Sequence, residues 1–192
     1  DGTLPPSAVT WRIDFHHDTH VHPFMPETSG ALTGEVAIPS TGETSADVWY
    51  RVYMTVRDSG GRTSTTFTDV HPRTVKLTLA TQPAGLSLLV DDQPVTTPAV
   101  IESVVGMQRT LGPVSPQSAL GTAWAFTGWA DGGSPTRVIT TPPADAAFTA
   151  RFSEAAWQES GGQVVLETED ADERIARGGL AWGSATAPAG FA

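Results

Sequence analysis

The chain has 192 residues, 39% of them hydrophobic, with 19 glycines, 15 prolines, no cysteine and a formal net charge of −10. That length and apolar fraction suit one to three domains with real cores and exclude a disordered chain. The absence of cysteine excludes disulfides, thiolate zinc and a cysteine nucleophile, and the acidic balance argues against nucleic acid, which is bound by clustered Lys and Arg.

Frequent Gly, Pro, Thr and Val predict many short strands joined by turns, with few helices. No run of 18 apolar residues occurs, so no membrane insertion is expected. Asp1 brings neither an initiator Met nor a signal peptide, and the expectation is a segment excised from a longer protein.

After a turn at residues 1–6, Trp11, Ile13 and Phe15 alternate with Arg12 and Asp14, the period-2 pattern of a strand with one apolar face. Beyond Phe15 the alternation gives way to four of the five histidines, His16, His17, His20 and His22. They are expected in a loop that carries chemistry on a β scaffold. Pro23 and Pro26 predict an irregular connection after them, residues 32–38 a short strand, and residues 39–47 a polar loop. The clearest strand covers residues 49–57, with Tyr50, Val52, Met54 and Val56 on one face and Arg51, Thr55 and Arg57 on the other. Residues 58–61 (Asp-Ser-Gly-Gly) close a hairpin, and residues 63–70 return as the partner strand.

A second unit spans residues 74–152. Val75, Leu77 and Leu79 alternate, Asp91 and Asp92 form a turn, and residues 124–133 and 148–152 supply further strands, with Gly132 and Gly133 expected in a hairpin turn. Residues 153–163 read as a linker.

In residues 1–73 the order Asp-Gly-Thr, a Trp-x-Ile-Asp-Phe strand, a Tyr-x-Val-x-Met-x-Val strand and then Ser-Gly-Gly resembles a PKD-type immunoglobulin-like domain that lacks its first strands. More narrowly, the His-His-x-Thr-His-x-His-Pro stretch with the downstream Gly-Glu-Thr-Ser-Ala-Asp-Val-Trp-Tyr at residues 42–50 resembles the PKD-like modules near the C-termini of secreted bacterial sugar-dehydrogenase-like and other carbohydrate-active proteins. Residues 82–98 resemble a PEGA-like hairpin, and Phe-x-x-Trp-x-Asp-Gly-Gly at residues 126–133 with Phe-Thr-Ala-Arg-Phe at residues 148–152 resembles bacterial cell-surface β repeats. Residues 164–192, with their Glu-x-Glu opening, resemble the start of a galactose-binding-like carbohydrate-binding module. These resemblances imply an extracellular, non-catalytic accessory region whose partners are polysaccharide or other domains of a parent protein.

His17, His20 and His22 have H-x2-H-x-H spacing, and in an extended segment His20 and His22 project to one side. Together with His16, Asp18 and His71, they are the candidate metal ligands. Imidazoles with one carboxylate suit Zn, Cu, Ni or Fe rather than Ca or Mg, with Zn or Cu the expected ion, and the alternative function is a metalloprotein acting in oxidation or hydrolysis. The bland alternative is a surface loop of hydrogen-bonded histidines. Antiparallel strand order places His71 at the same pole as the cluster, bordered by Asp47 and Trp49. Trp49 and Trp182 are candidate sugar-stacking residues, while Trp129 reads as core. The acidic run at residues 167–173 reads as a solvated face, with calcium binding as its alternative. The expected fold is all-β: tandem immunoglobulin-like sandwich modules with a partial third module.

Overall fold

The computed structural model describes residues 3–119 and 122–155. The partial third module, Trp182 and the acidic run lie outside the described residues. Residues 1–155 form one compact unit.

This unit is all-β and sandwich-like, as the strand patterns predict. A 3-10 turn at Pro6–Ala8 leads into β1 (Val9–His17), β2 (His20–Ser29), β3 (Val48–Arg57) and β4 (Thr63–Val70). They pair antiparallel in the order β2-β1-β3-β4. Nine strands follow: β5 (Thr74–Gln82), β6 (Ser87–Val90), β7 (Gln93–Thr96), β8 (Ala99–Val104), β9 (Gln108–Pro113), β10 (Gln117–Ala119), β11 (Thr122–Trp129), β12 (Arg137–Thr140) and β13 (Ala146–Glu154). They build a five-stranded sheet, β10-β11-β13-β5-β8, and a four-stranded sheet, β12-β9-β6-β7. β13 continues through Ser153 and Glu154, so the polar stretch expected to open a linker begins as strand.

The main core lies between these last two sheets. Leu79 of β5, Leu88 and Val90 of β6, Leu111 of β9, Trp129 of β11 and Phe152 of β13 meet there with Leu86 and Ala150. The alternation along β5 is what sends Leu77 and Leu79 inward, both fully buried. Burying each such side chain stabilises the fold by roughly 1.5–3 kcal/mol relative to leaving it exposed. Asp91 (φ +49) and Asp92 (φ +64) make the left-handed turn of the β6–β7 hairpin, a conformation that short polar side chains tolerate.

The first sheet is a single layer whose apolar face carries Trp11, Ile13 and Phe15 beside Val48, Tyr50 and Val52. No strand forms over residues 32–38. They alternate as a strand does, but no ladder partner runs alongside, and residues 31–47 instead cross the apolar face as a strap. The Trp11 indole donates to the Ala31 carbonyl (2.9 Å), the Gln108 amide to the Ser40 carbonyl (2.8 Å), and Arg109 to the Thr44 carbonyl (3.3 Å). Between the strap and Trp11, Ile13 and Val52 lies a cavity of about 570 Å³.

Two other expectations are corrected. His20, His22, Pro23 and Pro26 are in a strand, not a loop; β2 is an edge strand, so its prolines remove no hydrogen bond needed by a second neighbour. Register shifts against β1 absorb the extra residues around Phe24 and Pro26. Gly132 and Gly133 do not close a hairpin. They lie in the connection from β11 to β12, which carries the chain from one sheet to the other.

Candidate functional site

β1 and β2 are joined by the two-residue turn Asp18-Thr19, with His17 paired directly to His20 and Phe15 to His22. Asp18 adopts φ +46, and its amide donates to the Asp47 carbonyl (3.0 Å) at the entry to β3. The Ser45 hydroxyl donates to the Asp18 carboxylate (3.1 Å). This ties the hairpin tip to the strap and fixes one pole of the sheet.

The pleat splits the histidines between two faces. On the strap side the His17 ring stacks on Phe15 (5.6 Å between centroids), His20 (5.4 Å) and His22 (5.0 Å). The Nε2 atoms of His17 and His22 are 3.0 Å apart. Nδ1 of His17 faces the Glu43 carboxylate at 3.2 Å and the Asp18 carboxylate at 3.8 Å. On the opposite side His16 stacks on Trp49 (4.7 Å, 16° between planes), and Trp49 in turn on His71 (5.9 Å, 25°).

His71 therefore shares the pole of His17, His20 and His22 but stands across the sheet from them. The strand order that places it there is β1-β3-β4, with Trp49 paired to His16 and His71 following β4. Among the described residues, no three His, Asp or Glu side chains already surround one point.

Trp49 is stacked with two imidazoles, so a sugar would compete with them for its ring. Further along the same face, Arg12 lies over Tyr53 and Arg51 over Phe67, each 4.2 Å from the ring centre. Arg51 also donates through Nε and Nη2 to both oxygens of Asp69 (2.7 and 2.8 Å). That bidentate pairing holds the Asp69 carboxyl below its ordinary range.

The strap side holds what the sequence reading missed. A pocket of about 350 Å³ opens beside the histidines, floored by Phe15, Phe24 and Tyr50 and rimmed by His17, His22 and Glu43. Phe24 packs edge-on against Tyr50 at 4.8 Å. Burial raises the Tyr50 phenol above its ordinary value. Glu43 belongs to the strap, and no spacing in the sequence ties it to His17; only the path of residues 31–47 across the sheet does. Val104 and Met107 also line this pocket, so the two-sheet sandwich of β5–β13 closes one of its sides.

Among the described residues, no helix is long and apolar enough to cross a membrane. Comparison with protein-family models, curated proteins and solved structures finds no match for this chain.

Proposed function

We propose that this chain is a non-catalytic binding module of a larger secreted bacterial carbohydrate-active protein, and that the pocket at the histidine pole takes a saccharide unit. The observation that carries this reading is the pocket's composition. Sugar recognition pairs the apolar face of a pyranose with an aromatic floor and its hydroxyls with a few fixed polar groups. Phe24 and Tyr50 supply the floor, while His17, His22 and Glu43 supply donors and acceptors at the rim. The volume of about 350 Å³ falls within the range of small-ligand sites. The PKD-like and carbohydrate-binding-module-like resemblances of the sequence point to the same setting, outside the cell and beside a polysaccharide.

Trp49 plays no stacking role in this reading. It holds the sheet beneath the pole. The acidic chain meets neutral glycan rather than nucleic acid, because a net charge of −10 repels phosphate backbones.

Retention on neutral and acidic polysaccharide gels, followed by calorimetry with soluble oligosaccharides, tests the proposal. Binding that Tyr50→Ala or Phe24→Ala abolishes supports it. No retention on any glycan would leave the chain a spacer between domains of its parent.

A further inference from the structure

The geometry points to a transition-metal site on the strap face of the pole, with Nε2 of His17 and Nε2 of His22 as ligands, His20 as a third, and Glu43 as the carboxylate that orients His17. It goes beyond the saccharide pocket and does not depend on it.

The pair itself is the first observation. Two imidazole nitrogens bound to one zinc at about 2.0–2.1 Å with tetrahedral angles lie about 3.3 Å apart. His17 and His22 already point their Nε2 atoms at one another at 3.0 Å, so a few tenths of an ångström open the pair around an ion. Neutral imidazoles at that distance hold a single N–H···N bond, and the second observation decides which ring accepts. Glu43 lies 3.2 Å and Asp18 3.8 Å from Nδ1 of His17. Two carboxylates on that side keep the ring proton on Nδ1 and leave the Nε2 lone pair facing His22. A carboxylate behind an imidazole whose far nitrogen is free is the arrangement that metal-bound histidines use to fix their tautomer and raise their basicity.

In the metal-free pair His22 is the donor. An arriving ion takes the place of its Nε2 proton, which moves to the solvent-exposed Nδ1, so neutral His22 gains a ligand lone pair with no net change in protonation. His20 stacks on His17 at 5.4 Å and is exposed, with Nδ1 3.5 Å from the Thr19 hydroxyl. Rotation about its side chain brings it to the same ion. The remaining positions face water and the pocket. Imidazole ligands without thiolate select Zn or Cu over Ca or Mg. His16 and His71 take no part, because they stand on the other face against Trp49.

The full chain, stripped with a chelator, is titrated with Zn²⁺ by calorimetry and with Co²⁺ by its visible spectrum. One equivalent is expected, with at least 10-fold weaker binding in His17→Ala and in His22→Ala. Glu43→Gln is expected to weaken binding by about 10–100-fold, as loss of an orienting carboxylate does. His16→Ala and His71→Ala should stay within about twofold of the parent. Circular dichroism reports whether each variant folds. Should His17→Ala fail to fold, the exposed His22 decides the matter. Nitrogen-resolved NMR of the rings should show Nε2 of both residues shifting on Zn²⁺ addition while Nδ1 of His17 keeps its proton. Absence of stoichiometric uptake, an unchanged affinity in His22→Ala, or an equal loss in His16→Ala or His71→Ala overturns the site. Glycan binding is measured on the metal-free chain, so a blank there removes the saccharide reading and leaves this one standing.

Discussion

His16 and His17 are neighbours in the chain and stand on opposite faces of the first sheet, His16 stacked on Trp49 and His17 on Phe15. One peptide step therefore divides the histidines between the Trp49 face and the strap face of the sheet. On its own face Trp49 carries two ring pairs, and aromatic pairs contribute about 0.5–1.5 kcal/mol each beyond their buried area. Trp49→Ala is expected to lower stability by about 1–3 kcal/mol in urea denaturation while leaving Zn²⁺ affinity unchanged. A parallel loss of metal affinity would show that the two faces are coupled.

Arg109 is the joint between the strap and the two-sheet sandwich. It is 7% exposed; Nε donates to the Asp91 carboxylate (2.6 Å), and Nη1 to the Ser103 hydroxyl (3.2 Å) and the Thr44 carbonyl (3.3 Å). Replacing it with Met leaves an anion, a hydroxyl and a carbonyl short of a donor in a poorly hydrated place. Removing one partner of a buried pair costs about 3–5 kcal/mol, and the partial exposure of Asp91 brings the expectation for Arg109→Met to about 2–4 kcal/mol. Lys cannot reproduce the forked contacts and should recover less than half of that loss. Freed of its anchor, the strap should also become cleavable near residues 40–46 in limited proteolysis. Full resistance there would show that the strap's remaining contacts, at Ala31, Ser40, Ser45 and Asp47, hold it without Arg109.

The strands were legible where burial follows alternation. β5 buries every second residue over most of its length, and the turn residues at Asp58 to Gly61 and at Asp91 and Asp92 mark the β3–β4 and β6–β7 hairpins directly. β2 was not legible, because Pro23 and Pro26 are breakers in any strand with two neighbours and are harmless only at an edge, a fact of topology rather than of local sequence. Residues 32–38 failed in the opposite sense: the alternation was real, but a ladder needs a partner. At the site, the spacing of His20 and His22 correctly gave a shared side. Strand order located His71 at the pole but carried no information on which face it took. Glu43 was out of reach because it approaches His17 through a contact between two segments, whose closeness is decided by the strap's anchors on the two-sheet sandwich.

Inside that sandwich, two threonines form a directed chain of hydrogen bonds. The Thr97 hydroxyl donates to the Leu86 carbonyl (2.8 Å), so the Thr81 hydroxyl must donate to Thr97 (2.6 Å) while accepting from the Leu86 amide (3.3 Å). Thr81→Val keeps the shape and leaves the amide alone, an expected cost of about 1–3 kcal/mol. Thr97→Val leaves the Thr81 hydroxyl without its acceptor, while the Leu86 carbonyl keeps the Thr97 amide (3.0 Å), and should cost a comparable amount. Because the two share one chain, the double variant is expected to lose less than the sum of the singles, and strict additivity in a double-mutant cycle would break this account.

The Arg51–Asp69 pair sets a pH dependence whose sign follows from its geometry. Arg51 holds the Asp69 carboxyl below the ordinary aspartate value of 3.8, His71 and His16 add to the lowering, and burial opposes it. In the window below that value the unfolded chain binds the proton first, so stability rises with pH there. The contribution is complete above the unfolded value and is lost as pH falls through the folded one. Asp69→Asn removes the charge that titrates. Parent and variant are therefore expected to differ in urea midpoint at pH 7 and to converge as the pH is lowered below 3.8. Added salt should narrow the gap at pH 7, since the pair is at the surface and screened. A gap that stays constant from pH 7 down to about 2 would mean that the ion pair contributes nothing and that the cost of Asp69→Asn lies in packing against Arg51 and Phe67.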